Sequence, residues 1–151
     1  MPNSTQILAT TTIAISASLP TTFDDDASTG YPSLTYTAIG QVTDWSAGGK
    51  VFNVVTSNPI AQRNTDKYKG TFNTGADSFS VNRDDDDAGQ VIALAALASD
   101  NDYSFKITWS DATDDYYTGK IISFDTVAGG ADSIVQRTIQ VERTRDTIVT
   151  A

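Results

Sequence analysis

The sequence has 151 residues, which fits one domain and suffices to bury a substantial core. It contains neither cysteine nor histidine, and this composition excludes disulfide frameworks, Cys- or His-ligated zinc sites, and Ser-His-Asp or Cys-His catalysis. A net charge of −9 disfavours phosphate-driven binding to DNA or RNA over most of the surface.

The first residues show no sign of a signal peptide. Residues 1–18 lack a basic start, and the threonines at 10–12 interrupt their apolar residues. The longest apolar run, residues 91–98, falls far short of the roughly 20 residues that a membrane helix needs. We therefore expect a soluble protein that is made in a cytoplasm and has no membrane partner.

The N-terminal part is predicted to contain three strands after a polar arm. Residues 1–12 are rich in threonine, and we expect them to form a flexible N-terminal arm. Apolar and polar residues alternate over 13–19 and again over 34–38, which predicts two strands, with a bend after the second at Gly40. Residues 51–55 are apolar enough to predict a third strand that is covered on both faces.

The clearest hairpin pattern follows this third strand. Residues 68–74 and 78–83 both carry alternating side chains, and Gly75-Ala76-Asp77 between them is typical of a turn. One face of the predicted hairpin is apolar and faces the core. The other face is polar but uncharged, and it consists of Thr71, Asn73, Ser78, Ser80 and Asn82.

One stretch has a helical period. It follows the acidic run 84–87, and aspartates favour a helix N-terminus through capping and the helix macrodipole. Apolar residues then recur at the i, i+3, i+4, i+7 spacing of one helix face. The sequence predicts a helix over about residues 87–98 whose packing face consists of Val91, Leu94, Ala95 and Ala98.

The aspartates of this run do not match a calcium-binding loop. A loop of the EF-hand type needs ligands at positions 1, 3, 5 and 12 and a glycine at position 6. Starting the loop at Asp84 puts Ala88 and Ala95 at ligand positions, and starting it at Asp85 puts Gly89 at one. The sequence therefore predicts no metal site, and it offers no cofactor-binding or catalytic residue.

The remaining chain predicts three further strands. Residues 103–109 alternate strictly, 116–125 form their partner, and 134–141 form the last strand, before a C-terminal tail over 143–151. With seven or eight strands and one helix, the sequence predicts a mainly β domain over residues 13–142. Its predicted architecture is an antiparallel β-sandwich or partial barrel with one flanking helix.

The order and spacing of several short segments within 13–142 resemble the tail tube proteins, or major tail proteins, of long-tailed bacteriophages of the siphophage type. The segments are Tyr31-Pro32-Ser33-Leu34-Thr35, Val54-Val55-Thr56 with Pro59 and Ile60, Lys67-Tyr68-Lys69-Gly70, Phe79-Ser80-Val81-Asn82-Arg83, Asp86-Asp87-Ala88-Gly89-Gln90, Tyr103-Ser104-Phe105-Lys106-Ile107 and Tyr117-Thr118-Gly119-Lys120.

This resemblance implies a structural virion protein and not an enzyme. Subunits of such proteins join into rings, usually of six, and the rings stack into a hollow tube through which the genome is ejected into the host. The implied partners are further copies of this chain, other tail proteins (tape measure, tail tip and terminator), and DNA in transit without specific binding. An acidic lumen would repel the DNA phosphates.

Two segments then acquire expected roles in such a tube. Residues 57–66 are too long for a tight turn and place Ile60 beside Pro59, where a lone domain gains nothing from exposing it. We predict that this loop contacts the next ring through Asn58, Pro59, Ile60, Gln62, Arg63 and Asn64. The polar face of the predicted hairpin is expected to line the lumen.

Two other functions remain open from the sequence. In the first, a β-sandwich binds calcium through the aspartate-rich loops at 24–26, 84–87 and 111–115. The bound calcium would then let it bind a glycan or a protein. The second is a two-carboxylate hydrolase. A calcium-dependent rise in melting temperature would favour the first, whereas assembly into tubes would oppose it.

Overall fold

The computed structural model describes residues 7–150. In chain order its elements are β1 (Thr12–Ser16), a 3-10 turn (Tyr31–Ser33), β2 (Thr37–Ile39), β3 (Val42–Ser46), β4 (Val51–Ser57), β5 (Asp66–Asn73), β6 (Ala76–Asn82), α1 (Ala88–Leu97), β7 (Tyr103–Thr108), β8 (Asp114–Val127), β9 (Gln136–Arg143) and β10 (Ile148–Val149). The predicted N-terminal arm lies outside the described residues up to position 6, as does the last residue of the predicted tail. The tail contributes β10.

The main sheet is antiparallel and curls upon itself. Its strand order is β2-β1-β7-β8-β9-β6-β3, with β10 pairing with β8, while β4 and β5 form a separate two-stranded sheet. Only Gly40 and Gln41 separate β2 from β3, although these strands lie at opposite ends of the order. Three Cα steps span at most about 11 Å, so the two ends of the sheet approach each other. The sheet does not close into a complete barrel, because no ladder joins the described strands β2 and β3. With α1 packed against it, this architecture confirms the predicted sandwich or partial barrel with a flanking helix.

The predicted bend at Gly40 is confirmed. The Gly40 N–H donates to Asp87 Oδ2 at 3.1 Å, and a Cβ at Gly40 would lie 2.7 Å from Asp87 Oδ1. Gln41 has a positive φ of 62°, and its carbonyl accepts from Asn82 N–H at 2.9 Å. The bend therefore brings the start of α1 and the end of β6 against the junction between β2 and β3.

Alternating side chains of the main sheet fill the core. The predicted strand at 103–109 is confirmed as β7, and its apolar side chains are buried. Phe105 stacks on Tyr117 of β8 with ring centroids 5.1 Å apart. The remaining large buried side chains of the cluster are Ile13, Ile15, Ile39, Phe79, Val81, Tyr103, Ile107, Ile121, Ile139 and Val141.

The predicted hairpin between residues 68–74 and 78–83 is wrong. Strand β5 pairs with β4, whereas β6 pairs with β9 and β3. Gly75, with φ of 86°, lets the chain pass from one sheet to the other, and Asp77 is buried within β6 rather than exposed in a turn. The apolar face of β6 packs in the core beside β9, where Phe79 pairs with Ile139. This partner is distant in sequence, and it prevails over the adjacent β5.

The third predicted strand, residues 51–55, exists but is not covered. Every residue of β4 is exposed, and β4 pairs only with β5 among the described strands. The second and last predicted strands also begin later than expected. Strand β2 follows a 3-10 turn and begins at Thr37, and β9 begins at Gln136. The apolar composition of β4 therefore finds no burial within the described part of the chain.

The predicted helix is confirmed, but its packing face is wrong. Asp87 is the N-cap, and its side chain accepts from Gln90 N–H at 3.0 Å. All four predicted packing residues are exposed, and Leu94 retains 50% of its accessible surface. The exposed residues are Val91, Leu94, Ala95 and Ala98. The buried residues of α1 are Gly89, Gln90, Ala93 and Ala96.

The close approach of α1 to the sheet explains this reversal. The helix packs against β1, β2 and β8, and a Cβ at Gly89 would lie 2.3 Å from the Ala38 carbonyl oxygen of β2. Large side chains from the sheet already fill the core, so the small residues Gly89, Ala93 and Ala96 line the closest approach of the helix to the sheet. Of the bulkier apolar side chains of the helix, Ile92 is partly buried and packs against the core, whereas Val91, Leu94 and Leu97 are exposed.

Two substitutions in α1 should show which face of the helix packs on the core. We expect Leu94→Ala to lower the free energy of unfolding by about 0.5 kcal/mol or less, because the side chain is on the surface. Gly89→Ala should cost about 1–3 kcal/mol through overpacking, although alanine is the better helix former. Urea unfolding of dilute protein measures both. A loss larger for Leu94→Ala than for Gly89→Ala would contradict the observed helix orientation.

Candidate functional site

The most exposed element of the fold is the ribbon, which we define as β4, β5 and the loop 58–65 between them. Its register runs from Val51 opposite Asn73 to Ser57 opposite Asp66, with a bulge between Phe52 and Val54. An isolated two-stranded hairpin is at best marginally stable in water. The ribbon therefore gains stability if a further surface packs against it.

The two faces of the ribbon differ in chemistry. Phe52 and Phe72 pair on one face with ring centroids 5.3 Å apart, beside Val54. Lysine amines lie over these rings: Lys50 Nζ is 4.4 Å from the Phe72 centroid, and Lys69 Nζ is 4.9 Å from that of Phe52. This face is aromatic and basic. The register places Val51, Val55 and Tyr68 on the opposite face.

The ribbon is an apolar and basic extension of an acidic chain. Val54 retains 65% of its accessible surface, and Val55, Tyr68 and Phe72 are exposed as well. Contiguous exposed apolar side chains of this kind mark an interaction surface. Its charged residues are Arg63, Lys67 and Lys69 against the single acid Asp66, and Lys50 directly precedes it, whereas the whole chain has a net charge of −9.

The structure places the six predicted inter-ring residues together at the tip of the ribbon. Ile60 is fully exposed there, at 105% of the reference surface. The loop is held by its own hydrogen bonds, from Thr65 Oγ1 to Asn58 Oδ1 at 2.7 Å and from Gln62 Nε2 to the Asn64 carbonyl at 3.0 Å. The tip thus presents an apolar side chain on an internally bonded loop, and its contact with another ring remains a prediction.

A buried ion pair fixes the base of the ribbon. Asp77 accepts hydrogen bonds from Arg143 Nε and Nη2, both at 2.9 Å, and from Gly48 N–H at 2.7 Å. The side chains of Asp77 and Arg143 retain 0% and 8% of their accessible surface. The Arg143 guanidinium also lies 4.3 Å from the ring centroid of Tyr117, whose pKa burial raises well above its ordinary value. Sequence reasoning missed this pair.

The backbone of Arg143 also forms hydrogen bonds with the segment that follows the ribbon. Its N–H donates to the Gly75 carbonyl at 2.9 Å, and its carbonyl accepts from Thr74 Oγ1 at 2.7 Å. Gly48 lies just before β4, and Gly75 lies just after β5. One arginine of β9 is therefore linked to both chain segments at the base of the ribbon, and this linkage orients the ribbon relative to the main sheet.

A second apolar surface is the outer helix face, which we define as Val91, Leu94, Ala95, Leu97 and Ala98. These residues are exposed. Aspartates flank both ends of the face, with Asp84 and Asp86 before the helix and Asp100 after it. Among residues 7–150 these three carboxylates form no ion pair. The outer helix face is thus apolar in the middle and acidic at its ends.

Other aspartates of the predicted calcium loops have structural partners. Asp85 accepts hydrogen bonds from Arg83 and Arg137, and these bonds lower the pKa of its carboxyl group. Asp26 accepts from the backbone of Ser28 and Thr29, and Asp87 caps α1. In the part of the chain that the structure describes, no three acidic side chains converge to hold a metal ion. Nothing in this geometry specifically favours the calcium-dependent binding module.

The five predicted lumen residues do not share one face. Thr71 and Asn73 lie on the ribbon, while Ser78, Ser80 and Asn82 lie on β6 of the main sheet. The β6 residues stand opposite polar residues of the neighbouring strands. These are Asp44 and Ser46 of β3 and Gln136, Thr138 and Gln140 of β9. One strand further, Ser123 and Asp125 of β8 stand opposite Gln140 and Thr138. Among these residues only the two aspartates are charged, and Glu142 of β9 and Lys120 of β8 continue the same face opposite Ala76.

The free edge of β3 borders a further opening. Strand β3 has a ladder partner, β6, on one side only. A cleft of about 280 Å³ lies between residues 8–13 and residues 42–45. Thr11 Oγ1 and Trp45 Nε1 are buried there and find no hydrogen-bond partner among residues 7–150. An unpaired edge of this kind is a template for another chain.

Solved structures share this fold, although no family model and no curated protein matches the sequence. A chain of the PVC extracellular contractile injection system (sheath/tube terminator, extended state) matches with a TM-score of 0.66 and 11% identity, over 100% of both chains. The SPP1 tail tube matches with a TM-score of 0.61 and 14% identity, over 93% of this chain and 76% of that chain. The tube-terminating cap of the anti-feeding prophage matches with a TM-score of 0.57 and 12% identity, over 92% of this chain and 87% of that chain.

These matches confirm the resemblance to tail tube proteins at the level of the fold. They extend over 92–100% of this chain. No helix among residues 7–150 is both long and apolar enough to cross a membrane.

Proposed function

We propose that this chain is the structural subunit of a phage tail tube. Copies of it close into rings of six, and the rings stack into a hollow conduit through which the genome passes during ejection into the host. In this role the protein is a component of the virion, made in the host cytoplasm, and it performs no catalysis. The exposed ribbon is the observation that carries the proposal.

The ribbon supports self-assembly because the described part of the chain leaves both of its faces exposed. Its side chains are exposed on both faces, and apolar residues make up much of each. A heterologous contact between such an extension and another surface of the same chain yields either a closed ring or a filament. Tail tube structures among the fold matches support the same conclusion.

We assign the tip of the ribbon to the contact between rings. Pro59 stiffens the loop and lowers the entropy lost when it docks. Ile60 supplies an exposed apolar anchor, and Arg63 supplies a cation for the acidic surface of a neighbouring subunit. The contact residues in this assignment are Asn58, Pro59, Ile60, Gln62, Arg63 and Asn64.

We assign the polar face of the main sheet to the lumen, through Ser78, Ser80 and Asn82. Side chains around them are hydroxyls and amides, with Asp44 and Asp125 in the same row as Ser80. Six copies would surround the DNA with acids and neutral polar groups and with few cations to hold its phosphates. DNA is therefore a passing partner and is not bound specifically.

Lysines placed on this face should obstruct the DNA. We expect Ser80→Lys combined with Asn82→Lys to slow or block genome ejection by phage that carry both changes, while tubes still assemble, because the cations bind phosphates along the path. The matched control, Ser80→Asp with Asn82→Asp, should eject normally. Normal ejection by the lysine variant would assign this face to the outside of the tube.

Other tail proteins complete the proposed assembly. A tape measure protein would set the tube length, and tip and terminator proteins would cover its ends. Support comes from the fold matches, whose structures include a sheath/tube terminator, a baseplate and a tube-terminating cap.

Concentration-dependent assembly tests the proposal. Purified chain should be monomeric or weakly associated when dilute, and it should form hollow tubes when concentrated or nucleated. Light scattering follows the transition, and negative-stain microscopy shows its product. Monomers at every concentration, even with tail-tip partners added, would contradict it.

A further inference from the structure

The outer helix face has the reverse of the usual helix arrangement. In α1 the small residues Gly89, Ala93 and Ala96 face the core with Ile92 partly buried beside them, while Val91 and Leu94 face outward. A surface helix ordinarily turns its bulkier apolar side chains inward, because their burial contributes most to stability. This arrangement leaves an apolar strip that no residue of the described range 7–150 covers.

We propose that the ribbon of one copy packs on the outer helix face of the next copy. This inference rests on the proposed self-assembly and names the surface that receives the ribbon. The ribbon contributes its aromatic, basic face with Phe52, Val54 and Phe72, and the helix contributes Val91 and Leu94. Each surface covers apolar area that the other leaves exposed.

The lengths of the two apolar strips agree. From Val91 to Ala98 the helix advances by about 10 Å at 1.5 Å per residue. From Phe52 to Thr56 the ribbon advances by about 13 Å at 3.3 Å per residue. A single ribbon face can therefore cover the whole outer helix face.

Opposite charges favour the pairing of the ribbon with the outer helix face. Lys67 and Lys69 form no ion pair among the described residues, and neither do Asp84, Asp86 and Asp100 at the ends of the helix. Docking the ribbon on the helix brings these lysines toward the aspartates. Complementary charges of this kind favour encounter and fix the register of an interface.

The same charges disfavour symmetric association. Two ribbons packed face to face would bring Lys50, Lys67 and Lys69 toward their own copies, and two helices would bring aspartates together. A ribbon-to-helix contact is heterologous, and every subunit then has one free ribbon and one free helix face to extend the assembly. This is the contact geometry that rings and tubes require.

Cysteine cross-linking tests the contact directly, because the chain has no cysteine of its own. Val54→Cys and Leu94→Cys are both on exposed side chains, and circular dichroism will verify that each variant folds. One variant is labelled with 15N, the two are mixed under assembly conditions, and mass spectrometry counts mixed disulfide dimers after oxidation. The matched control pairs Val54→Cys with Ile134→Cys, at another exposed apolar position.

We expect mixed dimers of the Val54 and Leu94 variants at about tenfold or more above the control pair, in samples whose microscopy shows tubes. Equal or lower yields than the control would overturn the inference. Tubes without the cross-link would overturn this contact but leave the tube function intact, whereas neither tubes nor cross-link would overturn both. Mixed dimers without tubes would support the contact alone.

Charge exchange gives an independent test. Lys67→Asp with Lys69→Asp should raise the concentration needed for assembly about tenfold, and Asp84→Lys with Asp86→Lys should do the same. This change corresponds to about 1.4 kcal/mol per contact. All four changes in one chain should restore assembly, since each ribbon then meets a helix of opposite charge. A fourfold variant that assembles no better than either pair would overturn the inference.

Discussion

Replacing residues 58–65 with a short Gly-Ser linker should leave a folded monomer that no longer polymerises. The loop makes its hydrogen bonds within itself, between Asn58 and Thr65 and between Gln62 and Asn64, so the rest of the domain does not depend on it. Removing the exposed Ile60 and its neighbours removes the proposed inter-ring anchor. Circular dichroism and thermal melting should report a near-native domain, and microscopy should show no tubes.

The matched control shortens a different exposed turn. The same linker in place of residues 129–132, between β8 and β9, should leave assembly unchanged. Point substitutions refine the result, since Ile60→Asp alone should weaken assembly without affecting the melting temperature. Normal tubes from the shortened ribbon would make the loop a bystander and would direct the search for ring contacts to the chain termini.

Removing Asp77 should produce a large loss of stability in the folded chain. Asp77→Ala leaves the Arg143 guanidinium buried without its anion, and breaking a buried pair in this way costs about 3–5 kcal/mol. The matched control is Asp146→Ala, which breaks the exposed pair with Lys50 near the same base and should cost less than about 1 kcal/mol. Chemical denaturation of dilute protein measures both.

A compensating change distinguishes lost packing from an uncompensated charge. Adding Arg143→Met to Asp77→Ala should recover part of the lost stability, because the buried cation is then gone as well. Because Arg143 also orients the base of the ribbon, we expect this double variant to assemble poorly even where it is folded. If Asp77→Ala costs no more than Asp146→Ala, the pair does not stabilise the fold as its burial indicates.

Local patterns in the sequence were sufficient for elements whose environment is set by near neighbours. The strict alternation around Phe105 and Ile107 marks a strand with one buried face, and the structure buries that face. The period of α1 and its aspartate cap are likewise local, and both are found where expected. The bend at Gly40 follows from a glycine within an alternating pattern.

The orientation of the helix could not be derived in the same way. Residues 91, 94, 95 and 98 share one helical face, while 89, 93 and 96 share another, and hydrophobicity favours the first as the core face. The close approach of Gly89 to Ala38 decides for the second, and that distance depends on tertiary packing. Gln90, which is buried and hydrogen-bonded to the carbonyl of Asn82, gave no signal in the sequence.

Strand partners showed the same limit. Gly75 is typical of a hairpin turn, yet β6 pairs with β9 at the far end of the sequence. The apolar residues of β4 predicted burial, and the single chain leaves them exposed. In the proposed tube a neighbouring copy covers them. The prediction of burial was therefore wrong for the single chain, because the surface that covers β4 belongs to another copy.

Cryo-electron microscopy of the concentrated, unaltered chain is the most direct test of the proposed tube. We expect hollow tubes of stacked six-subunit rings, with the polar face of β6 and β9 toward the lumen and each ribbon packed against another subunit. Particles that remain monomeric at every concentration would contradict it. So would solid fibrils without a lumen, or tubes in which the ribbons project unpaired into solvent.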